Sequence, residues 1–231
     1  MRLLAAFLRI FFALLYHQFA WSYDLVADLV SLGRWKTWIK ATMPYIRGER
    51  VLELGHGPGH LQGRLLERGL SAVGLDESRQ MGRLANRRLR SSGYAKARLV
   101  RGVAQYLPFP AGAFDSVIAT FPSEYILDTR TLGEVHRVMQ TGGRFVLLPV
   151  AWITGRSLPD RFLAWLFRFT GQVPDSPVEV FSQKAAEHFR SAGFQLEIEQ
   201  VEVQSSLVLI LIASKSDEHT TPREERHAVS F

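Results

Sequence analysis

Cysteine is absent from all 231 positions of the sequence. Its absence excludes disulfide bonds, thiolate metal sites and every mechanism that depends on a cysteine nucleophile. It is compatible with a reducing compartment such as the cytoplasm. We predict no metal site in this chain.

The sequence also lacks an uninterrupted apolar run of the roughly 20 residues that a membrane-spanning helix needs. The first twenty residues, MRLLAAFLRIFFALLYHQFA, are interrupted by Arg9, and no small-residue cleavage site follows them. Arg2 and Arg9 lie on one stripe of a helix that is otherwise mostly apolar. We therefore predict an amphipathic helix over residues 1–22 that contacts a membrane through residues 1–20. A membrane span and a helix docked on its own domain are the alternatives.

Acidic residues are missing from one stretch of the chain that is rich in arginine. The formal net charge is +6, and eight basic residues crowd together after the first third of the sequence: Arg79, Arg83, Arg87, Arg88, Arg90, Lys96, Arg98 and Arg101. Such an excess is typical of contact with nucleic acid or with the anionic leaflet of a membrane, and composition does not choose between them. A solvated helix face is the third interpretation.

Short apolar runs alternate with helical stretches from Val51 onward, which indicates βαβ units and a mostly parallel sheet. Helices are clearest over Thr131–Gln140 and Ser182–Ala192. The last two strands are separated by only Gln204–Ser206, too short for a parallel crossover, and must form an antiparallel hairpin. The sequence predicts a seven-stranded α/β domain over residues 23–214 and a disordered tail over residues 215–231. The predicted strands are Val51–Leu54, Ser71–Leu75, Ala97–Arg101, Phe114–Ala119, Arg144–Val150, Gln195–Val203 and Leu207–Ala213.

A glycine-rich loop follows the first predicted strand in the segment VLELGHGPGHL, from Val51 to Leu61. Glycine permits close approach of the backbone to a ligand, so this loop predicts a nucleotide-like cofactor. A dinucleotide fingerprint would require glycine where His60 stands. Asp76 ends the next strand, about twenty residues after the first glycine, where a carboxylate accepts hydrogen bonds from ribose hydroxyls.

Taken in order, these motifs resemble the class I S-adenosylmethionine-dependent methyltransferases. The resemblance rests on Glu53 before a G-x-G-x-G loop, on DESRQM after the second strand and on RGVAQYLPF after the third. It covers residues 23–214 and implies a Rossmann-like, doubly wound fold with S-adenosyl-L-methionine as cofactor. At Val103 the family usually has an acidic residue. The cofactor-binding residues that it implies are Tyr23, Glu53, Gly55, His56, Gly57, Gly59, Asp76, Glu77, Met81, Val103, Ala104, Gln105 and Thr120.

The segment YDLVADLVSLGRWKTW, from Tyr23 to Trp38, resembles the N-terminal segment of the ubiquinone and menaquinone C-methyltransferases, within the methyltransferase type 11 group. The chain departs from those enzymes after the fourth strand, where FPSEYI replaces their glycine, arginine and asparagine. Glu124 and Tyr125 lie there and are the candidate catalytic residues, able to take a proton or orient the acceptor.

A predicted lid insertion over residues 151–174 follows the fifth strand, at the edge of the sheet where α/β folds bind ligands. Arg161 and Arg168 share one face of an otherwise apolar helix, which predicts a second membrane contact over residues 157–170. We therefore expect a methyltransferase for a small lipophilic acceptor, a quinone precursor or a lipid, peripheral on the cytoplasmic face of the membrane.

Two other functions stay open on the sequence. One is an inactive methyltransferase-like protein that binds cofactor or membrane. The other is a basic RNA methyltransferase, although the N/D-P-P-Y/F tetrad of base N-methylation is missing and a cysteine adduct is impossible. We expect no specific nucleic-acid partner.

Overall fold

A computed structural model describes residue 28 and residues 31–154 and 186–215 of the chain. The predicted N-terminal helix, residues 155–174 of the predicted lid and residues 216–231 of the predicted tail lie outside the described residues. Residues 151–153, predicted to begin the lid, are the last residues of one strand, and Lys215, predicted to begin the tail, is the last residue of another. Among the described helices, none is both long and apolar enough to cross a bilayer.

Seven strands form one mixed sheet in the order β3-β2-β1-β4-β5-β7-β6. Neighbouring strands from β3 to β5 run parallel, and β7 is antiparallel to both β5 and β6. The predicted α/β sheet with a terminal antiparallel hairpin is confirmed. The strands are β1 (Arg50–Leu54), β2 (Ser71–Asp76), β3 (Arg98–Arg101), β4 (Phe114–Thr120), β5 (Met139–Ile153), β6 (Phe194–Val203) and β7 (Ser206–Lys215).

In the described part of the chain, helices and 3₁₀ turns precede β1 and connect the strands that follow it. The turns are Met43–Tyr45 and Glu124–Leu127. Ser78 caps α3 by accepting a hydrogen bond from the Met81 N–H at 3.3 Å. The helices are α1 (Trp35–Lys40), α2 (His60–Glu67), α3 (Arg79–Ser91), α4 (Thr129–Val138) and α5, whose described part is residues 186–191.

The predicted boundary between the helix Thr131–Gln140 and the fifth strand is wrong by several residues. Asp128 starts α4 earlier, because its carboxylate accepts a hydrogen bond from the Arg130 N–H at 2.8 Å. Strand β5 begins at Met139, which pairs with Phe114 before the register shifts. The residues that look like a helix end and a turn therefore belong to an irregular strand.

Apolar side chains of alternate strand residues fill both faces of the sheet. Leu52 and Phe145 belong to one buried cluster with Phe189 of α5. Val51 and Val146 belong to the other, which α1 and α2 cover. Burial on both faces is the reason that the central strands consist of continuous apolar runs. The parallel pairing of β1 with β4 places their carboxyl ends side by side at one edge of the sheet.

Candidate functional site

The glycine loop lies at the carboxyl edge of the sheet, at the point where the strand order reverses. Strand β1 pairs with β2 on one side and with β4 on the other. Crossovers from β1 and β4 therefore leave in opposite directions and open a crevice between them. Residues 55–59 turn from β1 into α2 at this crevice.

Two glycines of the loop, Gly57 and Gly59, both have a positive φ but differ in what surrounds them. Gly59 has φ +82°, and a Cβ there would lie 2.9 Å from the Cβ of Ala85, so it allows α2 to pack closely on α3. Gly57 has φ +50°, and a Cβ there would meet nothing within 4 Å. Space is thus open above the middle of the loop, where a ligand can lie against bare backbone.

Asp76, at the end of β2, holds the loop in this shape. Its Oδ2 accepts a hydrogen bond from the Gly57 N–H at 2.8 Å, and its Oδ1 accepts one from the Ser78 N–H at 2.8 Å. His56 makes a second hydrogen bond to the loop backbone, since its Nδ1 lies 2.7 Å from the Gly57 carbonyl oxygen. Burial lowers the pKa of His56, which keeps the ring neutral and suited to a structural bond rather than to proton transfer.

Glu53 is a buried carboxyl beneath the loop. Its side chain is 2% exposed, and among the described residues its Oε2 has no hydrogen-bond partner. Burial raises the pKa of Glu53 to about 8; the neighbouring Gln62 side chain opposes this rise, and the negative charge of Asp76 adds to it. A buried carboxyl oxygen without a donor is costly, so this arrangement favours a ligand that brings a positively charged donor.

The predicted catalytic pair separates into two environments. Glu124 is exposed at the start of the 3₁₀ turn. Tyr125 points at the loop, where its hydroxyl would lie 2.9 Å from a Cβ at Gly55. Burial, followed by the charges of Asp76, Glu53 and Glu77, raises the pKa of Tyr125 far above its usual range. The hydroxyl therefore keeps its proton and donates rather than acts as a base.

The model of the ubiE/COQ5 methyltransferase family matches residues 12–189. The chain belongs to this family. It is 32% identical over 157 residues to the demethylmenaquinone methyltransferase of Thermobifida fusca, covering 66% of each chain. It is 34% identical over 140 residues to the enzyme of the same name from Thermus thermophilus, covering 58% of this chain and 63% of that relative. The chain thus spans less than two thirds of the length of these two relatives.

Solved structures confirm the fold. Geranyl diphosphate C-methyltransferase from Streptomyces coelicolor is similar with a TM-score of 0.57 and 14% identity, over 78% of this chain and 77% of that one. A methyltransferase from Methanosarcina mazei gives a TM-score of 0.53 and 17% identity, over 76% and 97%. The predicted membership in the S-adenosylmethionine-dependent methyltransferases, with their Rossmann-like sheet, is confirmed.

The other residues that the methyltransferase resemblance implies are distributed around the same edge, with one exception. Tyr23 lies outside the described residues. After β3, Val103 is 40% exposed whereas Ala104 is buried. The remaining ones are Met81, completely buried in α3, Glu77, exposed after β2, Gln105, half-buried after β3, and Thr120, half-buried at the end of β4.

Two aromatic residues beside the site, Phe121 and Trp35, are not among its predicted residues. Phe121, directly after β4, has φ +49°, a left-handed conformation that is unusual for an aromatic residue. Its ring centroid lies 6.1 Å from that of Trp38 in α1. Trp35, also in α1, meets the His60 ring edge to face at 4.9 Å. The two tryptophans thus place α1 beside the crevice, and both belong to the segment Tyr23–Trp38 that carries the resemblance to the C-methyltransferases.

Proposed function

We propose that this protein transfers a methyl group from S-adenosyl-L-methionine to a small lipophilic acceptor of the quinone-precursor class. The observation that carries the proposal is the electrostatic character of the glycine loop. Glu53 is buried beneath the loop, Asp76 accepts a hydrogen bond from the Gly57 N–H of the loop at 2.8 Å, and Glu77 follows Asp76 directly in the chain.

This charge pattern discriminates between two ligands that share an adenosine. The pyrophosphate of a dinucleotide carries negative charge and would be repelled by the carboxylates of Asp76 and Glu77. The sulfonium and ammonium groups of S-adenosyl-L-methionine are cationic and would be attracted. Glu53 is the most specific indicator, because its buried Oε2 lacks a partner among the described residues.

We assign the parts of the cofactor to residues as follows. Asp76 would accept hydrogen bonds from the ribose, because its carboxylate lies at the end of β2 beside the glycine loop. Glu53 would balance the ammonium group, and the backbone at Ala104 and Gln105 would face the adenine. S-adenosyl-L-methionine supplies a methyl group that is already activated on sulfur, so positioning and exclusion of water provide much of the rate.

On the acceptor side, Glu124 and Tyr125 lie in the 3₁₀ turn that follows β4, beside the crevice. Tyr125 stays protonated and would orient an acceptor oxygen by donating a hydrogen bond to it. Glu124 is exposed next to it and is our candidate to receive the proton that the acceptor loses. A carbon acceptor activated by a neighbouring phenolic hydroxyl would use both groups.

The acceptor class rests on two kinds of support. The relatives from Thermobifida fusca and Thermus thermophilus are named for demethylmenaquinone, a lipophilic quinone. The sequence of residues 1–20 and 157–170 combines apolar residues with isolated arginines, a pattern typical of interfacial helices. We infer that the protein works peripherally on the cytoplasmic face of the membrane, where such an acceptor is dissolved.

The test is transfer of a labelled methyl group from S-adenosyl-L-methionine to reduced demethylmenaquinone in phospholipid vesicles. Label should enter the quinone with the wild-type protein and fall strongly with Asp76→Asn. Label that enters RNA instead would show that the acceptor is a nucleic acid and not a quinone precursor. Cofactor binding without transfer to any component of a membrane extract would show an inactive relative.

A further inference from the structure

Helix α3 carries a row of arginines along its solvent side. Arg79, Arg83, Arg87 and Arg90 are spaced four, four and three residues apart, so they lie within one narrow arc of the helix. All four are exposed. They stand opposite the buried stripe of Met81, Ala85 and Leu89, which packs against the fold.

This row is unfavourable for the helix itself. Successive like charges one turn apart destabilise a helix, and a cation in the first turn, as at Arg79, opposes the helix dipole. The first turn of α3 contains no acidic residue. Among the described residues, no ion pair is formed by Arg79, Arg83, Arg87 or Arg90. A sequence that breaks local rules without a compensating internal contact points to an external partner.

The edge strand next to α3 extends the same charge. Strand β3 is at one end of the sheet, and Lys96, Arg98 and Arg101 on it and before it are exposed. We call these seven residues, Arg79, Arg83, Arg87, Arg90, Lys96, Arg98 and Arg101, the basic face. The stretch 79–101 holds eight of the 28 lysine and arginine residues and none of the 22 acidic ones. The positive excess of the whole chain therefore resides here.

The opposite end of the sheet has the opposite charge. Edge strand β6 exposes Glu197, Glu199 and Glu202. The domain is thus polarised from one sheet edge to the other, and an extended anionic surface would attract it with β3 and α3 foremost.

We propose that the basic face docks the domain on an anionic lipid surface, separately from the N-terminal and lid segments. Clusters of four to eight basic residues on a helix are typical of such binding, at about 1 kcal/mol per residue near the surface. Single-stranded nucleic acid fits less well, because its binders interleave basic residues with exposed stacking aromatics. The only aromatic residue between positions 79 and 101 is Tyr94, which is half-buried.

The test compares binding of the full chain to phosphatidylcholine vesicles with and without phosphatidylglycerol. Arg83→Gln/Arg87→Gln should weaken binding to the anionic vesicles about 25-fold, which is about fivefold per arginine. Arg47→Gln/Arg190→Gln removes the same charge from exposed positions elsewhere and should change binding little. Every variant retains residues 1–22, so a difference between the two pairs reports the basic face alone. Added salt should abolish that difference.

Equal binding by both double variants would overturn the proposal. So would retention on RNA at physiological salt that depends on Arg83 and Arg87 while vesicle binding does not. Self-association of the chain that both arginines support, without any vesicle effect, would assign the basic face to the acidic edge of a second copy and reject the lipid. None of these measurements needs methyl transfer, so their failure leaves the proposed activity untouched.

Discussion

Replacing Glu53 by glutamine should make the cofactor-free protein more stable. The pKa of Glu53 rises from 4.5 to about 8 on folding, because the carboxyl is buried. The folded protein therefore binds this proton more tightly than the unfolded chain, and the contribution of Glu53 to stability falls as pH rises from 4.5 toward 8. At pH 7 the loss is about 3 kcal/mol, at 1.36 kcal/mol per pKa unit. A glutamine side chain does not ionise, so the variant does not lose this stability as the pH rises.

Urea unfolding of the cofactor-free protein from pH 5 to pH 8 measures the effect. Glu53→Gln should gain up to about 3 kcal/mol at pH 7 and should show a weaker dependence on pH than the wild type. Glu197→Gln, an exposed change on β6, is the matched control and should leave the pH dependence unaltered. A Glu53→Gln protein that is less stable, with the wild-type pH dependence, would show that Glu53 is charged and paired after all.

The same substitution should weaken the cofactor complex. A cationic ligand next to Glu53 lowers the pKa of the carboxyl, so binding at pH 6.5 should release close to one proton. Calorimetry in two buffers of different ionisation enthalpy counts that proton. If Glu53→Gln binds the cofactor more weakly and releases no proton, the contact between Glu53 and the cationic group of the cofactor is supported. Proton release equal to that of the wild type would refute this contact.

Three further substitutions test other parts of the structure. Asp76→Ala should weaken S-adenosyl-L-methionine binding by about 1.5–3 kcal/mol in calorimetry, and full affinity would remove the ribose role. Gly59→Ala, whose Cβ would lie 2.9 Å from that of Ala85, should lower the free energy of unfolding by about 1–3 kcal/mol. Arg83→Glu should raise the free energy of unfolding by about 0.5–1 kcal/mol in urea, since two like-charge pairs become opposite-charge pairs. A lower free energy of unfolding would mean that Arg83 makes a stabilising contact within the fold.

The sheet and the glycine loop could be predicted because local constraints dictate their sequence. A strand buried on both faces needs a continuous apolar run, as Val51–Leu54 and Phe114–Ala119 show. The tight loop needs Gly59, and its shape needs a carboxylate at the end of β2 that accepts the hydrogen bond from the Gly57 N–H. Each of these demands acts within a few residues, so each leaves a pattern that can be read along the chain.

Other features depend on contacts between distant parts of the chain and leave no local pattern. Nothing near Tyr125 in sequence shows that its hydroxyl reaches Gly55, because the 3₁₀ turn sets its direction. The early start of β5 at Met139 reflects its pairing with Phe114, not its own propensity. The buried state of Glu53 likewise depends on the elements that cover the loop.

The left-handed backbone at Phe121 makes the end of β4 dependent on α1. Such a conformation costs about 1–3 kcal/mol for a residue with a side chain. Here the cost is offset by the Phe121 N–H bond to the Leu148 carbonyl oxygen at 2.7 Å and by the contact of its ring with Trp38. A shortened chain that loses α1 would free Phe121 to relax toward an extended conformation. The crevice beside the end of β4 would then change shape although no residue of β4 had been altered, so truncations meant to probe the N-terminal segment must stop before α1.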